Sequence, residues 1–155
     1  MVYGRLAPGE ENTGKIVSKV RDKAKQIAKE SGINDIIIDG PPGIGCSAIS
    51  SITGVDAVVV VTEPTLSGLH DLKRTLEITA DFKLPTSVII NKCDINEEMS
   101  SKIEEYCNQN EIKVIGKYPF DPLVVQAMVN CQSITDFAPD AEISKLIKKT
   151  YRQLS

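Results

Sequence analysis

The first candidate for chemistry is an aspartate that directly follows a short apolar run. Asp39 comes after three isoleucines at 36–38 and begins a Gly-Pro-Pro-Gly turn. An aspartate at the end of a buried strand is the Walker B arrangement, in which the carboxylate lies near a nucleotide's Mg²⁺, usually through water. Gly43 and Gly45 would let backbone amides approach a terminal phosphate. The structural alternative is that Asp39 caps the short helix that follows.

The second candidate is the tetrapeptide Asn-Lys-Cys-Asp at 91–94, which follows the apolar run 87–90. The side-chain amide of Asn91 can pair with a purine ring or stabilise neighbouring loops. If Asp94 faces the base, its carboxylate would accept hydrogen bonds from guanine and be repelled by the N1 acceptor of adenine. The tetrapeptide taken alone therefore hints at guanine, and a helix cap beside a solvated lysine is the structural alternative.

A third pattern, GxxxxGK at 9–15, has the spacing of a Walker A phosphate-binding loop. The next residue is Ile16, so the hydroxyl that would bind Mg²⁺ is missing. Glu10 and Glu11 would also place two negative charges where a polyphosphate must bind. We therefore predict an ordinary loop and the beginning of a helix at this position.

The elements that must position these residues follow from hydrophobic periodicity. Continuous β-branched runs at 36–38, 58–61 and 87–90 predict strands of a mainly parallel sheet that is covered on both faces. The run 112–116 predicts a more peripheral strand, and 2–6 is a candidate edge strand. Apolar residues at helical spacing predict helices over 16–28, 69–80, 99–106 and 143–151, with Gly32 and Pro85 ending the first two. This alternation predicts one doubly wound α/β domain over residues 1–155, with ligands at the carboxyl ends of its strands.

Composition narrows the class of protein. The chain has 155 residues, of which 41% are hydrophobic and 25% charged, as expected for one globular domain. Its net charge of −3 makes bulk nucleic-acid binding unfavourable. The sequence shows no transmembrane segment, no signal peptide and four widely spaced cysteines without metal-ligand spacing. We expect a cytoplasmic protein with reduced thiols.

Several segments together resemble one known group. Four segments are similar, in order and spacing, to the MinD/ParA/Mrp superfamily of P-loop ATPases, especially MinD-type ATPases with an inserted ferredoxin domain. These segments are IIIDGPPGIGC, VDAVVVVTEPTLSGLHDLKRTLE, VIINKCD and the Tyr-Pro-Phe-Asp-Pro segment at 118–122. The resemblance covers nearly the whole chain. It implies ATP and Mg²⁺ as ligands, with Asp39 near the metal and Gly43 near the γ-phosphate, Asn91 at the adenine, and Pro119 and Asp121 beside the base and ribose. The candidate cofactor-binding residues are Gly40, Pro42, Gly43, Asn91, Asp94, Pro119 and Asp121, and Asp39 is the catalytic candidate.

The chain also departs from this family. No KGGxGKT phosphate loop precedes Asp39, and the ferredoxin insert is absent, so the chain resembles the C-terminal portion of the family's domain. We expect ATP hydrolysis only when a missing segment or a partner chain, including a second copy in a homodimer, supplies that loop. Cys46 lies seven residues after Asp39, the spacing at which the related nitrogenase iron protein carries a cluster ligand. An iron–sulfur cluster on this chain alone is not expected, since no second cysteine is identified near it.

Three functions follow from these patterns. The first is a purine nucleotide module of a MinD/ParA-like ATPase, which is inactive as an isolated chain. The alternative is a non-enzymatic interaction or assembly domain that has lost nucleotide binding. The second alternative is a GTP-binding protein, which only the tetrapeptide at 91–94 supports.

Overall fold

The computed structural model describes residues 1–4 and 14–154. The chain divides into two compact units, one formed by Met1–Asp56 with Glu77–Leu84 and the other by Ala57–Leu76 with Pro85–Ser155. The expectation of one domain over residues 1–155 stays a prediction.

The first unit contains two packed helices, α1 (Lys15–Ser31) and α2 (Cys46–Ile52). Helix α1 ends at Gly32, as its sequence predicts, because this residue adopts the left-handed backbone that closes a helix (φ 65°). Arg21 of α1 donates from Nη1 to the Ser50 carbonyl at 2.7 Å and from Nη2 to the Gly54 carbonyl at 3.4 Å. A cation is favourable there because α2 exposes its last carbonyl groups at this end.

The strand predicted at 36–38 is wrong: residues 33–41 are in no helix or strand, and the side chain of Ile37 is 81% exposed. The prediction rested on β-branched side chains, but a strand also needs a neighbour that pairs its N–H and C=O groups. Within the described residues of this unit, no strand pairs with this segment. Residues 2–4 of the candidate edge strand are not in a strand either, and 5–6 lie outside the described residues.

The GxxxxGK pattern also lies mostly outside the described residues, which resume at Gly14. Helix α1 begins at Lys15, as predicted for this position.

The second unit contains a parallel sheet of three strands, β1 (Val58–Thr62), β2 (Thr86–Asn91) and β3 (Lys113–Tyr118), in the order β1-β2-β3. Val88 of β2 lies opposite Val60 of β1 and Val114 of β3, and an irregularity follows between Val88 and Ile89 on the β3 side. Helix α3 (Leu66–Asp81) joins β1 to β2, and α4 (Glu97–Gln109) joins β2 to β3. These are the β-helix-β crossovers that the periodicity predicts.

Helices cover both faces of this sheet. On one face, α3 and α4 pack against alternate residues of β2 in a buried cluster of Leu72, Leu76, Val88, Ile90, Met99, Ile103 and Cys107. On the other face, α7 (Glu142–Tyr151) packs on β3, where the Thr150 hydroxyl donates to the Ile115 carbonyl at 3.4 Å. The predicted α/β fold with a parallel sheet flanked by helices is therefore confirmed.

Of three shorter helices, α2, α5 (Pro122–Val129) and α6 (Ile134–Phe137), only α2 was considered from the sequence, as the short helix after Asp39. They have seven, eight and four residues, which is too short for an apolar stripe to repeat along the helix. None of the helices in the described part of the chain is both long and apolar enough to cross a bilayer.

Candidate functional site

The carboxyl ends of β1, β2 and β3 bring three loops together in the second unit. Glu63 directly follows β1, Lys92 directly follows β2, and their side chains form an ion pair with Nζ and Oε1 2.8 Å apart. Lys92 adopts a left-handed backbone (φ 53°), which is unusual for a residue with a side chain. The ion pair therefore links the loop after β1 to the tetrapeptide at 91–94.

Two hydrogen bonds link the loop after β2 to the loop after β3. The Cys93 N–H donates to the Tyr118 carbonyl at 2.9 Å, and the Phe120 N–H donates to Asp94 Oδ1 at 2.7 Å. A hydrogen bond to a carboxylate is stronger than one between neutral groups. The Asp94 carboxylate is thus part of the loop structure.

Helix α4 has its own cap, so Asp94 does not serve as one. The Asn96 side chain accepts a hydrogen bond from the Met99 N–H at 3.0 Å, which satisfies one of the free amides at the helix start. Glu97 and Glu98 in the first turn also favour this end of the helix dipole. The alternative that the tetrapeptide caps the helix is therefore wrong, and Lys92 pairs with Glu63 while its side chain stays 38% exposed.

Asn91 is the tetrapeptide residue with a free polar side chain. It ends β2 opposite Tyr118 of β3 and is half-buried. Its side-chain amide has no hydrogen-bond partner among the residues that the structure describes. A side-chain amide can donate and accept at the same time, so this group is available for a ligand with both functions.

The loop after β3 contains Pro119 and Asp121, the two residues that the resemblance places beside the base and ribose. Both are half-buried. Asp121 is the N-cap of α5, since its Oδ1 accepts from the Leu123 N–H at 2.9 Å and Pro122 occupies the first turn. This cap holds Asp121 at the start of α5, and its contact with a nucleotide stays a prediction.

An open depression of about 320 Å³ lies beside the tetrapeptide. Its lining is polar and of mixed charge, formed by Cys93, Asp94, Glu97, Ser100, Ser101 and Lys117. Burial raises the pKa of the Cys93 thiol, and the nearby positive charge of Lys117 lowers it in part. The thiol is therefore protonated at neutral pH, which makes it a poor nucleophile and metal ligand.

The Asp-Gly-Pro-Pro-Gly turn belongs to the first unit. Gly40 lies against α2, where an added Cβ would come within 2.9 Å of Ser51 Oγ. Pro42 and Gly43 are exposed, and Gly43 has a left-handed backbone (φ 84°) with nothing within 4 Å of a Cβ position. Gly45, rather than Asp39, is the N-cap residue of α2. The alternative that Asp39 caps this helix is therefore wrong.

The Asp39 side chain suits a water-mediated Mg²⁺ contact better than a complete metal cage. It is exposed and has no hydrogen-bond partner within the described residues. The part of the chain that the structure describes contains no group of three or more histidine, cysteine or acidic side chains that could hold a metal ion. Protein-bound Mg²⁺ commonly uses one or two carboxylates and takes its other ligands from phosphates and water. One free carboxylate fits that ligand set.

Cys46 begins α2 and is exposed, and its thiol is free. It belongs to no metal-binding group of three among the described residues.

Comparison with known proteins shows the family to which the chain belongs. A family model described as ParA, NUBPL iron-transfer P-loop NTPase, matches residues 14–155. The chain belongs to this family. It is 32% identical over 155 residues to an uncharacterized protein of Methanocaldococcus jannaschii, covering 99% of this chain and 50% of that protein. It is 24% identical over 168 residues to the iron-sulfur cluster carrier protein of Aquifex aeolicus, covering 98% of this chain and 46% of the carrier.

A solved structure shows the same fold. The septum site-determining protein MinD of Pyrococcus horikoshii, complexed with Mg-ADP, superposes with a TM-score of 0.74 at 19% identity, covering 92% of this chain and 56% of that one. The expected membership of the MinD/ParA/Mrp superfamily of P-loop NTPases is confirmed. The chain spans about half the length of the curated relatives described above.

The predicted site residues fall into two groups. The first unit holds Asp39, Gly40, Pro42, Gly43 and Cys46, and the second holds Asn91, Asp94, Pro119 and Asp121. Reasoning from the sequence missed the linking contacts of Glu63, Lys92 and Phe120. Glu63 and Phe120 both lie inside segments that carry the family resemblance, which was the available signal.

Proposed function

We propose that this chain is the base-binding and magnesium-binding portion of a ParA-family ATPase, with Mg²⁺-ATP as its ligand. The observation that carries the proposal is the Asn91 amide, which lies without a protein partner among the described residues at the carboxyl end of β2. The loop containing Pro119 and Asp121 follows the neighbouring strand. Ligands of open parallel sheets bind at this edge.

The chemistry of the loop favours adenine. A side-chain amide pairs with the N6 amino group and a ring nitrogen of adenine, one as donor and the other as acceptor. Guanine would instead need the Asp94 carboxylate, whose Oδ1 already accepts from the Phe120 N–H. The Mg-ADP in the structure of the P. horikoshii neighbour supports the same choice.

In this proposal Asp39 accepts a hydrogen bond from a water molecule of the nucleotide's Mg²⁺. The metal, when bound, neutralises charge on the phosphates. The exposed Gly43 offers its backbone N–H to a terminal phosphate, where no side chain blocks the approach. The lysines and hydroxyl of a phosphate loop would come from another segment or from a partner chain, so hydrolysis depends on that completion.

Calorimetric titration with ATP and GTP, with and without Mg²⁺, tests the proposal. Asn91→Ala should weaken ATP binding by about ten- to a hundredfold in both conditions, because it removes about two hydrogen bonds. Asp39→Asn should weaken ATP binding in the presence of Mg²⁺ and leave ATP binding without Mg²⁺ unchanged. Asn108→Ala and Asp56→Asn are matched controls, since both side chains are exposed. Absence of binding to either nucleotide would contradict the proposal, and tighter binding of GTP would contradict the choice of base.

The second candidate is a non-enzymatic interaction domain, and the exposed isoleucines of the first unit favour it. Ile33 is 55% exposed and Ile37 is 81% exposed. An apolar segment left open to water is a common partner-binding surface. This candidate predicts no effect of nucleotide on the melting temperature, together with self-association that Ile37→Ser reduces in size-exclusion chromatography.

A third candidate is an iron-sulfur cluster at Cys46, which the similarity to an iron-sulfur cluster carrier protein supports. The exposed thiol could contribute one ligand, and a second chain would have to contribute others. Anaerobic reconstitution with iron and sulfide, followed by absorption spectroscopy, compares Cys46→Ser with Cys131→Ser, which removes the other exposed thiol. Loss of the cluster absorption in the first variant alone would support this role.

A further inference from the structure

The tetrapeptide at 91–94 extends two charged side chains toward the loops on either side of it. Lys92 reaches the loop after β1 through its ion pair with Glu63, and Asp94 reaches the loop after β3 through the Phe120 N–H. Because β2 lies between β1 and β3, the tetrapeptide is the only one of the three loops that adjoins both others within the described sheet. Its charged residues therefore connect the three loops.

Backbone geometry supports a holding role. The left-handed conformation of Lys92 is unfavourable for a residue with a Cβ, so it persists only where surrounding contacts hold it. The Ile95 N–H closes a turn onto the Lys92 carbonyl at 3.1 Å, and the Cys93 N–H binds the Tyr118 carbonyl at 2.9 Å. This turn aims the Asp94 carboxylate at the backbone of the loop after β3.

We propose that Asp94 is a positioning residue that holds the loop after β3 against the tetrapeptide and does not read the base. This inference rests on the proposed nucleotide function and adds the basis of its base selectivity. The Phe120 N–H that Asp94 holds lies between Pro119 and Asp121, so the link sets the position of both residues relative to Asn91.

The link also explains how a tetrapeptide of this pattern serves adenine. Guanine recognition by a carboxylate uses both oxygens, which accept from N1–H and from the exocyclic amine. Oδ1 of Asp94 already accepts from the Phe120 N–H at 2.7 Å, so a guanine that used both carboxylate oxygens would have to share Oδ1 with that N–H. The Asn91 side-chain amide, in contrast, has no hydrogen-bond partner among the described residues and can both donate to and accept from a base.

Asp94→Asn and Asp94→Ala separate the two roles. The asparagine side chain keeps an oxygen that can accept from the Phe120 N–H, whereas alanine has none. If the Asp94 carboxylate bound guanine, both variants would lose guanine binding. Asparagine replaces one of the two acceptor oxygens by a donor, and alanine removes both oxygens. Glu97→Ala is the matched control, since Glu97 is an exposed acid that lines the same depression.

Two measurements are made on each variant of the full chain. Amide hydrogen exchange at Phe120, without nucleotide, should stay slow in wild type, Asp94→Asn and Glu97→Ala, and should speed up about tenfold or more in Asp94→Ala. Titration with Mg²⁺-ATP should show Asp94→Asn within about twofold of wild type and Asp94→Ala weaker by about tenfold.

The outcomes distinguish this inference from the proposed function. If Asp94→Asn loses binding as fully as Asp94→Ala, or if wild type prefers GTP and Asp94→Asn abolishes that preference, Asp94 reads the base and the inference is overturned. Fast exchange at Phe120 in wild type would also overturn it. If wild type binds no nucleotide but Phe120 loses protection only in Asp94→Ala, the proposed function fails and the loop-holding role of Asp94 stands.

Discussion

Gly68→Ala tests how tightly the loop after β1 is built. Gly68 lies in the first turn of α3, where an added Cβ would overlap the backbone oxygen of Glu63. The same Cβ would lie 3.0 Å from the hydroxyl oxygens of Thr62 and Thr65. A backbone oxygen cannot move away by side-chain rotation, so either the loop or the helix must shift.

The magnitude follows from two opposing effects. Forcing an extra carbon into a packed site costs about 1–3 kcal/mol, whereas alanine in place of glycine in a helix returns up to about 1 kcal/mol. We expect a net loss of about 1–2 kcal/mol in the free energy of unfolding. For a chain of this size that lowers the melting temperature by roughly 2–8 °C. A shift of the Glu63 backbone should also disturb the Glu63–Lys92 ion pair.

Thermal and urea unfolding, followed by circular dichroism, measure the effect. Ser67→Ala is the control, because Ser67 is the exposed neighbour in the same turn and its truncation adds no atom. We expect that control to stay within about 0.5 kcal/mol of wild type. A Gly68→Ala protein as stable as wild type, or no less stable than Ser67→Ala, would refute the close approach of Gly68 to Glu63.

Two further predictions concern the core and the thiols. Ile103 has no exposed surface and lies in the main apolar cluster. Ile103→Ala should therefore lower the free energy of unfolding, measured in urea, by about 2–5 kcal/mol. A loss under about 1 kcal/mol would contradict that packing. Burial raises the pKa of the Cys93 and Cys107 thiols, so less of each is in the reactive thiolate form at pH 8. Iodoacetamide should therefore modify the exposed Cys46 and Cys131 first. Peptide mass spectrometry measures the order in which the four cysteines are modified, and early modification of Cys107 would contradict its burial.

The candidate site shows how far local patterns reach. The sequence predicted strands that end before Asn91 and before the segment containing Pro119 and Asp121, because apolar β-branched runs are a short-range signal. The structure decided that these two strands are neighbours in the sheet. For Asp94 the sequence left two alternatives open, contact with the base and capping of a helix. The structure adds that Asp94 binds a backbone N–H 26 residues away, which no tetrapeptide pattern encodes.

By itself the sequence determined the helices α1, α3, α4 and α7 and the strands β1, β2 and β3, since each has an apolar pattern that recurs within a few residues. Only the tertiary structure decided that the isoleucine run 36–38 forms no strand, because pairing depends on a neighbour and not on propensity. It also decided which charged side chains meet. Ion pairs and hydrogen bonds between loops require residues far apart in the chain to come within about 3 Å, and only packing of the sheet and its helices brings them there.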